Sequence, residues 1–514
     1  MNIRYVASQV GLLFMVLSIM MLVTAGLFIV AQRVAGAPGD REARLALFIV
    51  GGAGLLLGGA LWAVLRTRDE HLDRREAVLL VALSWVFGSV LAGAPYYVWA
   101  HLDDQAGPDH PLASIVNCLF ESVSGLTTAG SSILTAIEDV PRSLLLWRAA
   151  TQWIGGIGIV LLFVAILPTL GIGARKLFFS EITGPTKAGV LPTIRATARL
   201  LLAVYVVLTG AEVLALLACG MSVFDAICHS FTTIATGGYS PRNASIGAYD
   251  SASIDLVITL FMILGAVNFV LLFRLAQRRW SSVFNDVELR VFLILVLGGS
   301  LLVALIIQGS PIVTLSGRTI EDAGFLTSLR YALFNVTSAQ TTTGYATADY
   351  DQWPDVARGI MFFLILCGGC AGSTAGGVKI VRVVIIYKVL STMVERTFRP
   401  NVVRTVGLGG AKIDEGVLLA SVAYVLGTII LLGAASLGLV ACEPVGAIDV
   451  TTSTSATLAT FCTTGPGFGK VGPAVNFAWM TDASKLILCA VMLLGRLEVL
   501  TLAVLFTPRF WRPE

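Results

Sequence analysis

Four times along this chain a short core rich in threonine and glycine interrupts otherwise apolar sequence. The cores read Leu126-Thr-Thr-Ala-Gly-Ser, Ile234-Ala-Thr-Gly-Gly-Tyr, Gln340-Thr-Thr-Thr-Gly-Tyr and Cys462-Thr-Thr-Gly-Pro. Aligned on Gly130, Gly237, Gly344 and Gly465, they recur at intervals of roughly 107 to 121 residues, which marks an internal repeat. Each core follows an apolar segment too short to span a bilayer (111–126, 223–234, 326–339 and 447–461), and longer apolar runs stand on either side. Non-helical backbone cannot face hydrocarbon, because its N–H and C=O groups would go unpaired. Four breaks at membrane depth are therefore tolerable only if they turn towards one another around water or ions.

Lipid is the right solvent for such a chain: of 514 residues, 56% are hydrophobic and 13% charged, too few polar groups to clothe a soluble globule. Runs such as 10–31, 45–65, 200–219 and 417–440 each approach the ~20 apolar residues that cross a bilayer as a helix. Spans at 3–31 and 44–65 precede the repeats and carry no core. The pattern predicts an all-α integral membrane protein with ten full spans and four re-entrant half-helices around one central pore. Its expected parts are an accessory two-helix membrane domain (1–70) and four pore repeats (71–170, 171–280, 281–400 and 401–514), the third holding an intramembrane loop.

With the amino terminus inside, the inner segments hold roughly twice as many Lys and Arg residues as the outer ones, among which Arg148 is counted. Both termini are expected in the cytoplasm. The first apolar run is too long for a cleavable signal. A net charge of +3 gives no support to a nucleic-acid partner. The eight cysteines are scattered, and Cys367 and Cys370 read as small packing residues. Neither Gly155-Gly-Ile-Gly nor the 372–379 stretch has the context of a dinucleotide or phosphate loop. None of His71, His101, His110 and His229 stands in a recognised catalytic arrangement, so the chain is not expected to be an enzyme.

Backbone carbonyls that converge on one axis replace the water shell of a cation, and glycine permits the conformation that aims them there. The predicted ion-lining set is Thr128, Ala129, Gly130; Ala235, Thr236, Gly237; Thr342, Thr343, Gly344; and Thr463, Thr464, Gly465. The third core is close to the Thr-Val-Gly-Tyr of tetrameric potassium channels. In these cores, in Gln152-Trp-Ile-Gly-Gly-Ile-Gly-Ile, in Gly368-Gly-Cys-Ala-Gly-Ser-Thr-Ala-Gly-Gly-Val-Lys379 and in Gly495-Arg-Leu-Glu-Val-Leu, the chain resembles the TrkH/TrkG type of the Trk/Ktr/HKT potassium-uptake superfamily. The first core departs from the family by holding Ala129 where threonine is usual, which removes a hydroxyl and keeps the carbonyl.

That resemblance implies a potassium ion as cargo with no bound prosthetic group, a homodimer in the bacterial inner membrane, and gating by a cytosolic TrkA-like ring that binds NAD or ATP. It places Arg496 in the pore below the filter, and Gly372, Ser373, Thr374, Gly376, Gly377 and Lys379 in an obstructing loop, with basic residues from Arg382 to Lys412 as docking material. Uptake would be driven by membrane potential, with proton coupling open. Read by themselves, the residues leave alternatives. An arginine in mid-membrane costs roughly 2.5–3.5 kcal/mol and faces either a pore or an acidic partner such as Glu498 or Glu212. The glycines of 368–377 either break a helix or pack it closely against a neighbour. A secondary carrier would show inverted halves, whereas these repeats run in one direction.

Overall fold

The structure, a computed structural model, describes residues 2–35, 40–67, 73–104, 107, 109–166, 194–399, 407–408, 411–497 and 504–512. Six of its helices are long and apolar enough to cross a membrane: Ile3–Val30, Arg41–Leu65, Arg75–Leu102, Ala196–Ala218, Val287–Ile307 and Glu415–Cys442. Their apolar side chains face outwards as well as inwards. On Glu415–Cys442, Leu419, Leu426, Ile430 and Leu437 are all exposed, which suits lipid and not water.

After the leading pair, the elements come in the order long helix, half-helix, turn, second helix four times over. The sets are Arg74–Leu102, Ile115–Leu126 and Arg142–Ile166; Ile194–Ala218, Val223–Ile234 and Ala252–Ala266; Val287–Ile307, Phe325–Gln340 and Asp355–Cys367; and Glu415–Cys442, Val450–Phe461 and Asp482–Arg496. Three of the second helices have only 15, 13 and 15 residues, so fewer than the ten full spans expected from sequence are single membrane-crossing helices among the described residues. Three of the half-helices start where a side chain accepts from an orphan amide: Ser114 from Asn117, Ser222 from Asp225 and Asp449 from Thr452. The third begins at Gly324 with no such cap and runs to 16 residues. In the leading pair, a Cβ on Gly11 would stand 2.7 Å from the Gly58 carbonyl, and one on Gly58 would press on the Gly11 carbonyl in return. Two glycines thus let these helices cross in backbone contact.

Three features depart from an uninterrupted all-α reading. The segment read as one span in repeat two is two helices, Ala252–Ala266 and Phe269–Ala276, bent by 107° at Val267–Asn268. In repeat three the helix Asp355–Cys367 stops, and Ile380–Phe398 resumes after twelve non-helical residues, 368–379. Two short hairpins, Ile312–Val313 with Thr319–Ile320 and Gly407–Leu408 with Ala411–Lys412, lie outside the spans. The expected limits at 70/71, 170/171 and 400/401 fall outside the described residues.

Candidate ion filter

Each half-helix ends in the same way. Its last turn closes on a right-handed residue, Thr127, Ala235, Thr341 or Cys462, followed by a threonine in the left-handed region: Thr128 (φ 57°), Thr236 (φ 52°), Thr342 (φ 55°) and Thr463 (φ 57°). One residue intervenes. Then comes a left-handed glycine: Gly130 (φ 78°), Gly238 (φ 75°), Gly344 (φ 83°) and Gly465 (φ 93°). A β-branched residue at positive φ is strained by roughly 1–3 kcal/mol, and four at equivalent places mark a constraint imposed by the site.

This geometry corrects the alignment of the second repeat. Gly238, not Gly237, takes the place of Gly130, Gly344 and Gly465, so the equivalent triplet is Thr236-Gly237-Gly238, and Ala235 is the end of the half-helix. Backbone bonding gives the same register. The amides of Ala129, Gly237, Thr343 and Thr464 donate to Ser124, Thr232, Ser338 and Ala459, five residues back in each case. Gly237 lacks a side chain for a different reason: a Cβ there would run into Gln152, whose amide donates to the Gly237 carbonyl at 2.7 Å and accepts from the Tyr239 N–H at 3.1 Å.

The four loops form a closed ring. A Cβ on Gly130 would overlap the Gly237 carbonyl oxygen, one on Gly238 that of Thr343, and one on Gly344 that of Thr464. On Gly465 it would come 2.9 Å from the Ala129 carbonyl, which returns to the first repeat. Only glycine allows so close an approach, and every repeat leans on the next. Within the ring the amides turn back to the half-helices, while the carbonyls of Thr128, Ala129, Thr236, Thr342, Thr343, Thr463 and Thr464 take no hydrogen-bond donor from the described residues. Buried carbonyls are almost always paired. A row of unpaired ones converging from four sides is the arrangement that substitutes for a cation's hydration shell.

Buried side chains brace the ring from behind. Glu121, on half-helix one, pairs with Arg148 at 2.6 Å, and Arg148 also donates to the Ser240 carbonyl at 3.1 Å. The Arg148 guanidinium lies 3.3 Å from the centre of the Tyr239 ring, whose hydroxyl donates to the carbonyls of Glu121 (2.8 Å) and Ser131 (3.2 Å). Arg148, counted by sequence among outer basic residues, is instead buried, at 3% exposure, in a span. One seam further on, the Tyr345 hydroxyl donates to the His229 carbonyl at 3.1 Å. Neither buried ion partner was expected from sequence. The available signal was an acidic residue inside an otherwise apolar short segment.

Beneath the ring the symmetry ends. The backbone of 368–379 crosses under three repeats: the Thr374 hydroxyl donates to the carbonyl of Ile234 (2.8 Å), the Gly376 amide donates to the Thr342 hydroxyl (2.7 Å), and Gly376 sits against Cys462 and Thr463. Arg496 closes the fourth side, donating to the carbonyls of Thr374 (2.8 Å) and Gly155 (3.3 Å), while Gly155 packs on Leu126 at the base of the first half-helix. Arg496 is 5% exposed and has no carboxylate partner among the described residues. Glu212 does not pair with it, and Glu498 lies outside the described residues. The loop is knitted to the bend in repeat two, since Cys370 donates to the Ala266 carbonyl (2.9 Å) and Phe269 to that of Gly372 (3.2 Å). Gly368 (φ 71°), Gly372 (φ 73°), Gly377 (φ 77°) and Lys379 (φ 72°) are its positive-φ residues. Ser373 donates to the Cys370 carbonyl at 2.6 Å, and the Lys379 ammonium to that of Ala375 at 2.7 Å.

One further expectation changes, and one histidine gains neighbours that sequence did not show. Arg382 is buried, with its guanidinium 4.0 Å from the centre of the Tyr424 ring, and so offers no docking charge. His229 does have serine and aspartate neighbours: its Nε2 lies 3.1 Å from the Ser240 hydroxyl and its Nδ1 2.8 Å from the Asp225 main-chain carbonyl. The Asp225 carboxylate is turned away to Arg242 at 3.0 Å, so no charge orients the imidazole as a base.

Residues 46–512 match the family model described as TrkH, cation transport protein. The chain is 38% identical over 461 residues to the Trk system potassium uptake protein TrkH of Salmonella typhimurium, covering 89% of this chain and 90% of that one. It is 35% identical to the Escherichia coli K12 protein of the same name over the full length of both. The crystal structure of the potassium transporter TrkH from Vibrio parahaemolyticus superposes with a TM-score of 0.85 at 31% identity, covering 100% of each chain. With its ring of four loops and its spans, this multi-pass membrane protein belongs to the TrkH family of cation transport proteins.

Proposed function

We propose that this chain takes up potassium ions across a bacterial inner membrane, both termini in the cytoplasm, through a pore whose filter is the ring around Gly130, Gly238, Gly344 and Gly465. The observation that carries the reading is the cyclic contact of each glycine with the next repeat's carbonyl, together with the unpaired carbonyls of that ring. Four half-helices end there, so the negative ends of their dipoles face an entering cation. Membrane potential supplies the drive, at about 2.3 kcal/mol per charge per 100 mV. Arg496 and residues 372–379 form the gate: a fixed positive charge beneath the ring repels a resident cation, and the loop fills the passage until it is drawn aside. A homodimer with a cytosolic TrkA-like, nucleotide-binding ring provides that pull, and no catalytic role is assigned to any residue. The resemblance of the cores and the curated relatives' names support this reading.

The test is Rb⁺ uptake into potassium-starved cells with and without the chain, followed by Gly130→Ser. The parent is expected to restore uptake, and the variant to admit more Na⁺, since a side chain at Gly130 presses on the Gly237 carbonyl. Absence of Rb⁺ flux in cells that accumulate the protein together with its partner sinks the proposal.

A further inference from the structure

The turn out of each filter is held by one polar side chain from that repeat's own half-helix. In repeat one the Glu121 carboxylate accepts from the Ile133 amide at 3.0 Å and from the Ser132 hydroxyl at 3.1 Å. In repeat three the Asn335 side chain accepts from the Thr347 amide at 3.3 Å and donates to the Thr347 hydroxyl at 3.0 Å. In repeat four the Ser455 hydroxyl accepts from the Phe468 amide and donates to the Phe468 carbonyl, both at 3.0 Å. Ile133, Thr347 and Phe468 each stand three residues past the filter glycine.

Repeat two explains itself by its exception. The residue three past Gly238 is Pro241, which has no N–H to give. Here the contact moves one residue back, and His229 reaches the Ser240 hydroxyl instead, at 3.1 Å. The hydrogen-bond directions follow: His229 Nδ1 faces a carbonyl and so carries the proton, leaving Nε2 to accept from Ser240, whose oxygen accepts in turn from the Arg242 amide at 3.0 Å. Glu121, His229 and Asn335 lie nine residues before their filter glycines and Ser455 ten before its own. Four unlike side chains, a carboxylate, an imidazole, an amide and a hydroxyl, thus occupy one place in the architecture. Packing alone would not choose a polar atom at all four.

We infer that Glu121, His229, Asn335 and Ser455 are positioning residues for ion selection, each tying the exit of its filter loop to the rigid half-helix and thereby setting how far the carbonyls yield to a smaller ion. This rests on the filter reading above. A loop freed at its exit closes around Na⁺ more readily, so discrimination falls before conduction does.

The experiment measures Na⁺ and K⁺ permeability in vesicles of the full chain with its cytosolic partner, for Asn335→Ala, Ser455→Ala, Ser455→Thr and Gly344→Ser, each normalised to protein in the membrane. Asn335→Ala and Ser455→Ala are expected to lower the K⁺ over Na⁺ ratio about two- to tenfold, the range one lost hydrogen bond supports. Ser455→Thr, which keeps the hydroxyl, holds the ratio within about twofold of the parent. Should the alanine forms not accumulate, Ser455→Cys, a weaker donor and acceptor, gives a smaller fall in the same direction. An unchanged ratio in these variants, or a loss of flux at constant ratio, overturns the inference if Gly344→Ser still shifts selectivity. If Gly344→Ser shifts nothing, it is the filter reading that fails.

Discussion

The ring of filter loops and the layer directly beneath it draw on the same four repeats and treat them differently. In the ring, equivalent residues do equivalent work: four left-handed threonines, four left-handed glycines and four carbonyls in cyclic contact. Underneath, repeat three contributes a twelve-residue break, repeat four an arginine, repeat two a bent span and repeat one only a carbonyl at Gly155. The contrast follows from the roles we propose for the two layers, ion selection in the ring and obstruction beneath it. Replacing a hydration shell takes ligands from every side at once, so loss of symmetry in the ring is costly. Blocking a passage takes one movable segment and something to hold it, and symmetry there would serve no purpose.

The largest effect should come from breaking the ring where backbone meets backbone. Gly344→Ala puts a Cβ onto the Thr464 carbonyl at φ 83°, so steric and conformational penalties combine. Rb⁺ uptake is expected to fall at least about tenfold, as αL strain alone costs roughly 1–2 kcal/mol. The second repeat sharpens the point. Gly238→Ala should behave like Gly344→Ala, whereas Gly237→Ala meets only the end of the Gln152 side chain and is not in the left-handed region. Equal damage from both, measured as Rb⁺ uptake at matched abundance, would contradict the register set out here.

That pair of glycines also shows how far sequence reasoning reaches. The half-helices were legible because a dozen apolar residues cannot span a bilayer. The broken span in repeat three was legible from its run of glycines. By contrast, Ala-Thr-Gly-Gly-Tyr offers two glycines, and their different settings, Gly237 against Gln152, 85 residues away in sequence, and Gly238 against the Thr343 carbonyl, are made by contacts that local sequence does not show. The bend at Val267–Asn268 has neither proline nor glycine at the break. It exists because the amides of Cys370 and Thr374 take up the carbonyls of Ala266 and Gly265, a partner that local sequence does not announce. Glu121 and Arg148 were hidden for the same reason: each is intolerable in lipid alone and becomes reasonable only as a pair.

A middle-sized effect is expected from the layer below. Arg496→Ala removes a buried cation and two hydrogen bonds, to Thr374 and Gly155, that hold the loop under the ring. Hydrogen bonds from a charged group are worth about 1.5–3 kcal/mol each, so losing them frees the loop as well as removing the repulsion. Uptake by the chain without its cytosolic partner should rise. A fall to background, with the protein still present in the membrane, would mean that Arg496 holds helices together and has no part in gating.

The smallest effect isolates one thread of the same device. The Thr374 hydroxyl donates to the Ile234 carbonyl at 2.8 Å and to that of Gly265 at 3.0 Å, tying the loop to the base of half-helix two. Valine has the same shape and cannot donate, so Thr374→Val removes the tie while the Arg496 contact, which is to the Thr374 main chain, stays available. One hydrogen bond contributes about 1 kcal/mol, which corresponds to roughly a fivefold increase in partner-independent leak. Thr374→Ser keeps the donor and should leak like the parent. The selectivity of whatever leaks is the decisive reading: because the ring is untouched, K⁺ over Na⁺ discrimination should hold in Thr374→Val even as flux rises. A variant that leaks Na⁺ as freely as K⁺ would show that the loop is part of the filter's support, and the division between a symmetric ring and an independent layer beneath it would fail.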